Sequence, residues 1–240
     1  MPKETEDDHG PKTVEDNAVG RLFALSDGVF AIAMTLLALD LRVPDLSSHP
    51  TDAALRHALA QNSASYWSYV ATFFAVANYW SWHRRLLRSV VTDHPRLLRD
   101  TLFLLILVAA LPFPASLLGR YGGRVPFALA LYGIVNALAV LVLLQLRHDV
   151  RRLGLAGRAP DPAGDAVAGR QLSLSLAVYL LCIPAGYVLH ANGPWVLFLL
   201  GLFLLRRASW VWGRRPRIWR AITVRRSRGG GRPTDGAGAA

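Results

Sequence analysis

The residue whose chemistry most needs an explanation is Asp27, a carboxylate near the start of a long apolar segment, RLFALSDGVFAIAMTLLALDLRVP. A charge at that depth in a membrane is costly, so it is usually functional or tightly paired. In a helix, Asp27 shares one stripe with Ala31, Met34 and Ala38. Small residues on this stripe would let a neighbouring helix approach closely, so we expect Asp27 to face protein. It could lock two helices together, or it could act as a gating or proton-sensing group.

Candidate partners for Asp27 lie at the end of the second apolar segment, which ends in NYWSWHRR. If this segment runs back across the membrane, its end lies at the depth of Ser26 and Asp27. It carries four polar or aromatic side chains: Asn78, Trp80, Trp82 and His83. An indole N–H or an imidazole would satisfy the carboxylate by hydrogen bonding. The sequence therefore predicts a hydrogen-bonded cluster between the first two membrane helices.

Residue patterns typical of enzymes do not occur in the apolar segments. They contain no nucleophile with a base, no carboxylate pair and no histidines at metal-ligand spacing. Gly229–Gly231 has no strand before it, and the single cysteine, Cys182, excludes an intramolecular disulfide and a CxxC site. A site divided among helices would escape motif analysis, but we expect a protein that is not an enzyme and uses no metal or cofactor.

The composition is that of a membrane protein, with 52% hydrophobic and 18% charged residues and a mean hydropathy of +0.29. A membrane-spanning helix needs about 20 mostly apolar residues. Six segments meet this need: 22–43, 63–82, 101–119, 126–146, 171–191 and 194–212. The predicted fold class is therefore an all-α integral membrane protein with six transmembrane helices over 21–212. Residues 1–20 and the basic segment 213–240 are predicted to be largely disordered tails.

The distribution of arginine predicts the orientation, because cytoplasmic loops collect positive charge. Most arginines follow the second, fourth and sixth segments, whereas the other side holds only Arg42, Arg56, Arg120 and Arg124. We therefore expect a multi-pass protein of the cell membrane with both termini in the cytoplasm. The basic C-terminal tail suits anionic lipid headgroups better than nucleic acid, so we expect lipid and not nucleic acid as its partner.

A second stripe of the first helix points more than a quarter turn away from Asp27. It consists of Gly28, Ile32, Thr35, Leu36 and Leu39. From these residues alone, contact with lipid or with the protein core would be the usual interpretation.

The first segment nevertheless resembles the signature helix of a known family. Arg21 is followed after three residues by Leu25, Ser26 and Asp27, which is similar to the Arg-x-x-x-Phe-Ser-Asp motif of the transmembrane protein 175 family of potassium channels. Leu25 stands where the family has Phe, a conservative change. The NYWSWHRR ending resembles the second helix of that family, so Arg21, Leu25, Ser26, Asp27, Asn78, Trp80 and His83 are expected to form its motif and helix-packing network.

This resemblance implies a homotetramer in which four first helices surround a central pore. Ile32, Leu36 and Leu39 match the apolar constriction, and Thr35 matches the hydroxyl layer beside it. An apolar ring can exclude ions by dewetting, while a threonine ring can replace part of an ion's hydration shell. The implied function is passive, potassium-permeable cation conduction, with potassium ions, the lipid bilayer and copies of the same chain as partners.

Asp40 lies about one turn after Leu36, near the outer end of the segment. A ring of such carboxylates at a pore mouth would concentrate cations, although an acidic residue at a span end is also ordinary interfacial composition. Two other functions stay open: a proton-coupled or other small-solute transporter that uses Asp27, and a non-conducting scaffold whose arginines recruit an anionic partner.

Overall fold

The computed structural model describes residues 12–41, 51–90, 94–121, 124–157 and 162–188. In these ranges the secondary structure is helical, apart from one isolated antiparallel bridge between Val90 and Ala156. The helices are α1 (Lys12–Ala38), α2 (Asp52–Gln61), α3 (Ser63–Leu87), α4 (Pro95–Ala110), α5 (Pro112–Tyr121), α6 (Pro126–Arg152) and α7 (Pro162–Val188). The prediction of an all-α fold is therefore confirmed for the described residues.

Within the described ranges, four helical stretches are long and apolar enough to cross a membrane. They are Gly20–Ala38, Pro95–Tyr121, Pro126–Arg152 and Asp165–Val188, and they agree with predicted segments one, three, four and five. The predicted second segment forms α3, which has 25 residues but whose serines, threonine and asparagine lower its hydropathy. The predicted sixth segment, 194–212, lies outside the described residues.

The third span is divided by proline, as its sequence indicates. Pro112 begins α5 directly after Leu111, which is the C-cap of α4. The N–H of Leu111 donates to the carbonyl of Val108, three residues earlier, at 3.2 Å. Proline has no N–H to donate to the preceding turn, and its ring clashes with the carbonyl four residues earlier. A kink at this point follows from the covalent chemistry of the residue.

Helix α1 is longer than the sequence predicts. It begins at Lys12, so the helix extends through residues 12–20, which the sequence predicts to belong to a tail. Short helix α2 was not predicted either, and it is capped by Thr51, whose hydroxyl accepts the N–H of Ala54 at 3.2 Å.

Buried polar side chains link α3 and α6. Tyr79 donates to Asn136 Oδ1 at 2.8 Å, Asn136 donates to the carbonyl of Tyr132 at 2.8 Å, and the hydroxyls of Thr72 and Tyr132 lie 3.2 Å apart. These groups are fully buried or nearly so. Hydrogen bonding between them removes the penalty of placing polar atoms among apolar side chains, so the network fixes the two helices against each other.

Glycines allow the closest approaches between helices. A Cβ on Gly133 of α6 would lie 2.9 Å from the carbonyl oxygen of Tyr179 on α7, and one on Gly119 of α5 would lie 2.9 Å from the Cα of Ser65 on α3. Small residues are common where membrane helices pack, since they let the backbones meet.

Candidate functional site

Helix α1 has one face packed against the rest of the chain. Its buried residues recur at helical spacing: Leu22, Ser26, Phe30, Ala33 and Leu37. Three of them, Phe30, Ala33 and Leu37, belong to the main hydrophobic core. The Ser26 hydroxyl donates to the carbonyl of Leu22 at 2.7 Å, so this buried polar group is satisfied within the helix. The packed face therefore holds α1 in place without using the predicted pore residues.

The opposite face of α1 is left open in the single chain. Ile32 is 60% exposed, Leu36 is 42% exposed and Leu39 is 77% exposed. Thr35 is exposed on the same face, and its hydroxyl donates to the carbonyl of Ile32 at 2.8 Å. Because the hydroxyl hydrogen is used inside the helix, Oγ1 can take part in further hydrogen bonds only as an acceptor. This surface combines apolar side chains with one hydrogen-bond acceptor, the hydroxyl oxygen of Thr35.

Asp27 is joined to α3 by a hydrogen bond. The indole Nε1–H of Trp80 donates to Asp27 Oδ1 over 2.7 Å, although Asp27 is exposed. The guanidinium of Arg84 stacks on the Trp80 ring, 5.0 Å from its centroid. A carboxylate, an indole and a guanidinium thus form a connected group across the two helices. Arg84 was missed by the sequence analysis because no motif connects it with Asp27.

The small-residue stripe predicted to carry Asp27 packs only in part among the described residues. Ala31 and Ala38 are exposed, whereas Met34 is partly buried against the main core. Asp27 meets α3 through the long side chain of Trp80, while Phe30 and Ala33 make the close contacts. The predicted close approach of a helix at Ala31 and Ala38 is therefore not seen within the described part of the subunit.

Among the described residues, the side-chain hydrogen bonds of the other predicted members of the network do not include Asp27. His83 is buried, with Nε2 at 3.4 Å from Thr101 Oγ1 and its ring 5.8 Å from that of Phe30. Asn78 is buried, and its Oδ1 has no hydrogen-bond partner in the part of the chain that the structure describes. Thr101 was not singled out from the sequence, since a lone threonine in an apolar segment carries no pattern.

Arg21 and Leu25 are exposed, and Leu25 is only half covered. Among the described residues, Arg21 forms no hydrogen bond and no ion pair. The structure therefore brings Asp27 and Trp80 together and leaves Arg21 outside the predicted packing network.

Asp40 follows the end of α1 and is held by α5. The Ser116 hydroxyl donates to Asp40 Oδ1 at 3.1 Å. Beside this pair lies a cleft of about 20 Å³, enough for a single water molecule. Its lining residues are Leu37, Asp40, Ser65, Tyr69, Ala115, Ser116, Gly119 and Arg120. Ser116 was not predicted, because serine in a kinked helix carries no positional signal.

Comparison with known proteins gives a consistent result. The family model described as endosomal/lysosomal potassium channel TMEM175 matches residues 21–112. A potassium channel of Streptomyces collinus is 33% identical over 194 residues, which cover 76% of this chain and 91% of the relative. A potassium channel of Chamaesiphon minutus is 31% identical over 201 residues, covering 81% of this chain and 97% of the relative.

The fold is also similar to a solved structure. The crystal structure of a lysosomal potassium-selective channel TMEM175 homolog from Chamaesiphon minutus matches with a TM-score of 0.65 and 25% sequence identity. The match covers 80% of this chain and 99% of the solved chain. All of the named relatives are channels, in agreement with the prediction that the chain is not an enzyme.

Proposed function

Because the chain belongs to the family of the endosomal/lysosomal potassium channel TMEM175, we propose that it is a potassium channel, which conducts passively through a pore lined by α1. The observation that carries this proposal is the division of α1 into two faces. One face is buried in the core of the subunit, while Ile32, Leu36 and Leu39 stay exposed. A helix arranged in this way is anchored on one side and free to line a pathway on the other.

The pore requires several copies of the chain. In the proposed assembly, four six-span subunits place the open faces of α1 around one axis, with all termini in the cytoplasm. The exposed apolar face supports this arrangement, because it would be covered by the same face of the other copies. The concentration of arginine in alternate loops supports the orientation.

In this pore, Ile32, Leu36 and Leu39 form the constriction. Rings of branched apolar side chains bind water weakly, so a narrow ring excludes ions unless it widens. Thr35 lies among them on the exposed face, and four threonine oxygens would replace part of the hydration shell of a potassium ion. Gating and selectivity thus reside within two turns of one helix.

Asp40 is proposed to form a ring of carboxylates at the outer mouth, where negative charge raises the local concentration of cations. The position of Asp40 beyond the last turn of α1 supports this placement, and the hydrogen bond from Ser116 holds one carboxylate oxygen toward α5.

Asp27 is proposed to act as a structural link. Its hydrogen bond to Trp80 fastens α1 to α3 on a different side of α1 from Ile32. The alternative of a proton-coupled transporter that uses Asp27 is not favoured, since the named relatives are potassium channels.

A pore lined by α1 can be tested by substituting two isoleucines of similar exposure, one on α1 and one on α4. Ile32→Asn would keep the constriction wet and raise potassium conductance in reconstituted bilayers, because an ion would no longer cross a dry ring. Ile106 on α4 is 64% exposed, close to the 60% of Ile32, so Ile106→Asn is the matched control. Unchanged conductance in Ile32→Asn, or an equal rise in both variants, would contradict a pore lined by α1.

A further inference from the structure

Arg21 is a charged side chain for which the proposed network gives no partner. It is exposed, and none of the hydrogen bonds or ion pairs of the described residues includes it. By contrast, Arg147 is paired with Asp165 at 2.8 Å, and Arg84 and Arg85 stack on tryptophans. Arg21 therefore keeps its full charge on an open surface.

The helical geometry places this charge on the same line as the proposed pore residues. Because α1 begins at Lys12, Arg21 lies inside the helix and not beyond its end. At about 3.6 residues per turn, the spacing between Arg21 and Leu39 is close to a whole number of turns, so both point in the same direction. Leu25 and Gly28, also exposed, continue this line from Arg21 toward Ile32.

We infer that Arg21 lines the inner mouth of the pore and that the ring of four guanidinium groups limits the outward flow of potassium ions. This inference rests on the proposed function, since it requires α1 to surround the pathway. It separates Arg21 from Asp27, which is turned about a third of a turn away and bonded to Trp80.

Electrostatics give the direction of the effect. Arginine stays protonated at any physiological pH, so the ring is positive under all working conditions. Four charges about 8–10 Å from an ion would reduce the local potassium concentration by roughly two- to fivefold at ~0.1 M salt. The reduction acts on ions that enter from the cytoplasm, because ions from the other side cross the constriction first. Outward current is therefore reduced more than inward current.

The first experiment removes the charge. Arg21→Gln should increase outward unitary current about two- to fivefold at ~0.1 M salt, with a smaller change in inward current, and this difference should vanish at ~1 M salt, where charges are screened within ~3 Å. Arg21→Lys retains the charge and should behave as the parent. Arg88→Gln is the matched control, because it removes an exposed arginine at the C-cap of α3, away from α1. Equal currents in Arg21→Gln and the parent at both salt concentrations would overturn the inference.

A second experiment works on channels that are already assembled. In a Cys182→Ser background, Arg21→Cys channels are treated from the cytoplasmic side with thiol reagents of opposite charge. A cationic reagent should lower outward current and an anionic reagent should raise it. Identical effects of both reagents, or none, would contradict a charge at the mouth. If Ile32→Asn raises conductance but the reagents have no charge-dependent effect on current, only the role of Arg21 is wrong. If Ile32→Asn does not raise conductance either, the pore lined by α1 is wrong.

Discussion

At the scale of single residues, Thr35 gives the sharpest test of selectivity. Thr35→Val keeps the shape of the side chain but removes the hydroxyl oxygen from the exposed face of α1. We expect the preference for K⁺ over Na⁺ to fall about two- to tenfold, as for the loss of about 0.5–1.5 kcal/mol from one hydroxyl interaction. Reversal potentials under K⁺/Na⁺ gradients measure this ratio. Thr35→Ser is the control, because it retains the oxygen; a loss of selectivity in both variants would mean that shape and not the hydroxyl decides.

Asp27 provides a test of the link between α1 and α3. Asp27→Ala removes the acceptor of the Trp80 indole, and because Asp27 is exposed we expect a modest loss of about 0.5–1.5 kcal/mol per subunit. Thermal unfolding in detergent and the yield of assembled protein report this loss. Trp80→Phe removes the donor of the same hydrogen bond. The variant with both substitutions should therefore be no less stable than the less stable of the two single variants. Additive losses would show that the two residues act separately.

The residue scale is also where sequence reasoning succeeded and failed most clearly. The hydrogen bond from an indole to Asp27 could be anticipated, because a carboxylate in an apolar segment needs a donor. The packed face of α1 could not be predicted from the sequence, because Ala31 and Ala38 are as small as Ala33 and as suitable for close contact. Helical spacing groups residues by face, but it does not reveal which face meets a neighbour when both faces are apolar.

At the scale of helices, the contact between α6 and α7 depends on Gly133. A methyl group there would lie 2.9 Å from the Tyr179 carbonyl oxygen, a backbone atom that cannot turn aside. Gly133→Ala should therefore lower the free energy of unfolding by about 1–3 kcal/mol through overpacking. Gly20→Ala is the control, because nothing lies within 4 Å of that position and alanine favours helix formation. Equal thermal stability of the two variants would show that α6 and α7 adjust without cost.

Helix existence could be predicted from hydropathy for most of the chain, because long apolar segments have few alternatives in a membrane. Helix ends were less predictable. The polar residues before Arg21 carry no apolar periodicity, yet α1 continues back to Lys12. The short helix α2 has no buried residue, so burial gave no signal from which to infer it.

At the scale of the whole molecule, the orientation is testable by labelling. Cysteines introduced by Ala53→Cys and Arg152→Cys, in a Cys182→Ser background, should react with impermeant reagents from opposite sides of the membrane. Both positions are exposed, so access is not limited by packing. Arg152 is preferable to Gly154, whose φ of +64° is strained for any other residue. Labelling of both cysteines from one side would refute the proposed arrangement of spans.

Assembly is a separate prediction at this scale. The purified protein in mild detergent should have the mass of four chains, because the proposed pore encloses its pathway with four copies of α1. Light scattering coupled to size-exclusion chromatography measures that mass. A monomer that still conducts after reconstitution would require a pathway within one subunit.

The two faces of α1 have a consequence for how such a channel can change over generations. Substitutions on the buried face alter the core of the subunit and are removed by selection for folding. Ile32, Thr35 and Leu39 on the open face are exposed, so substitutions there disturb the core of the subunit much less. In the proposed pore, ion preference can therefore diverge among descendants through the exposed positions of α1, while the buried positions of the same helix keep the scaffold unchanged.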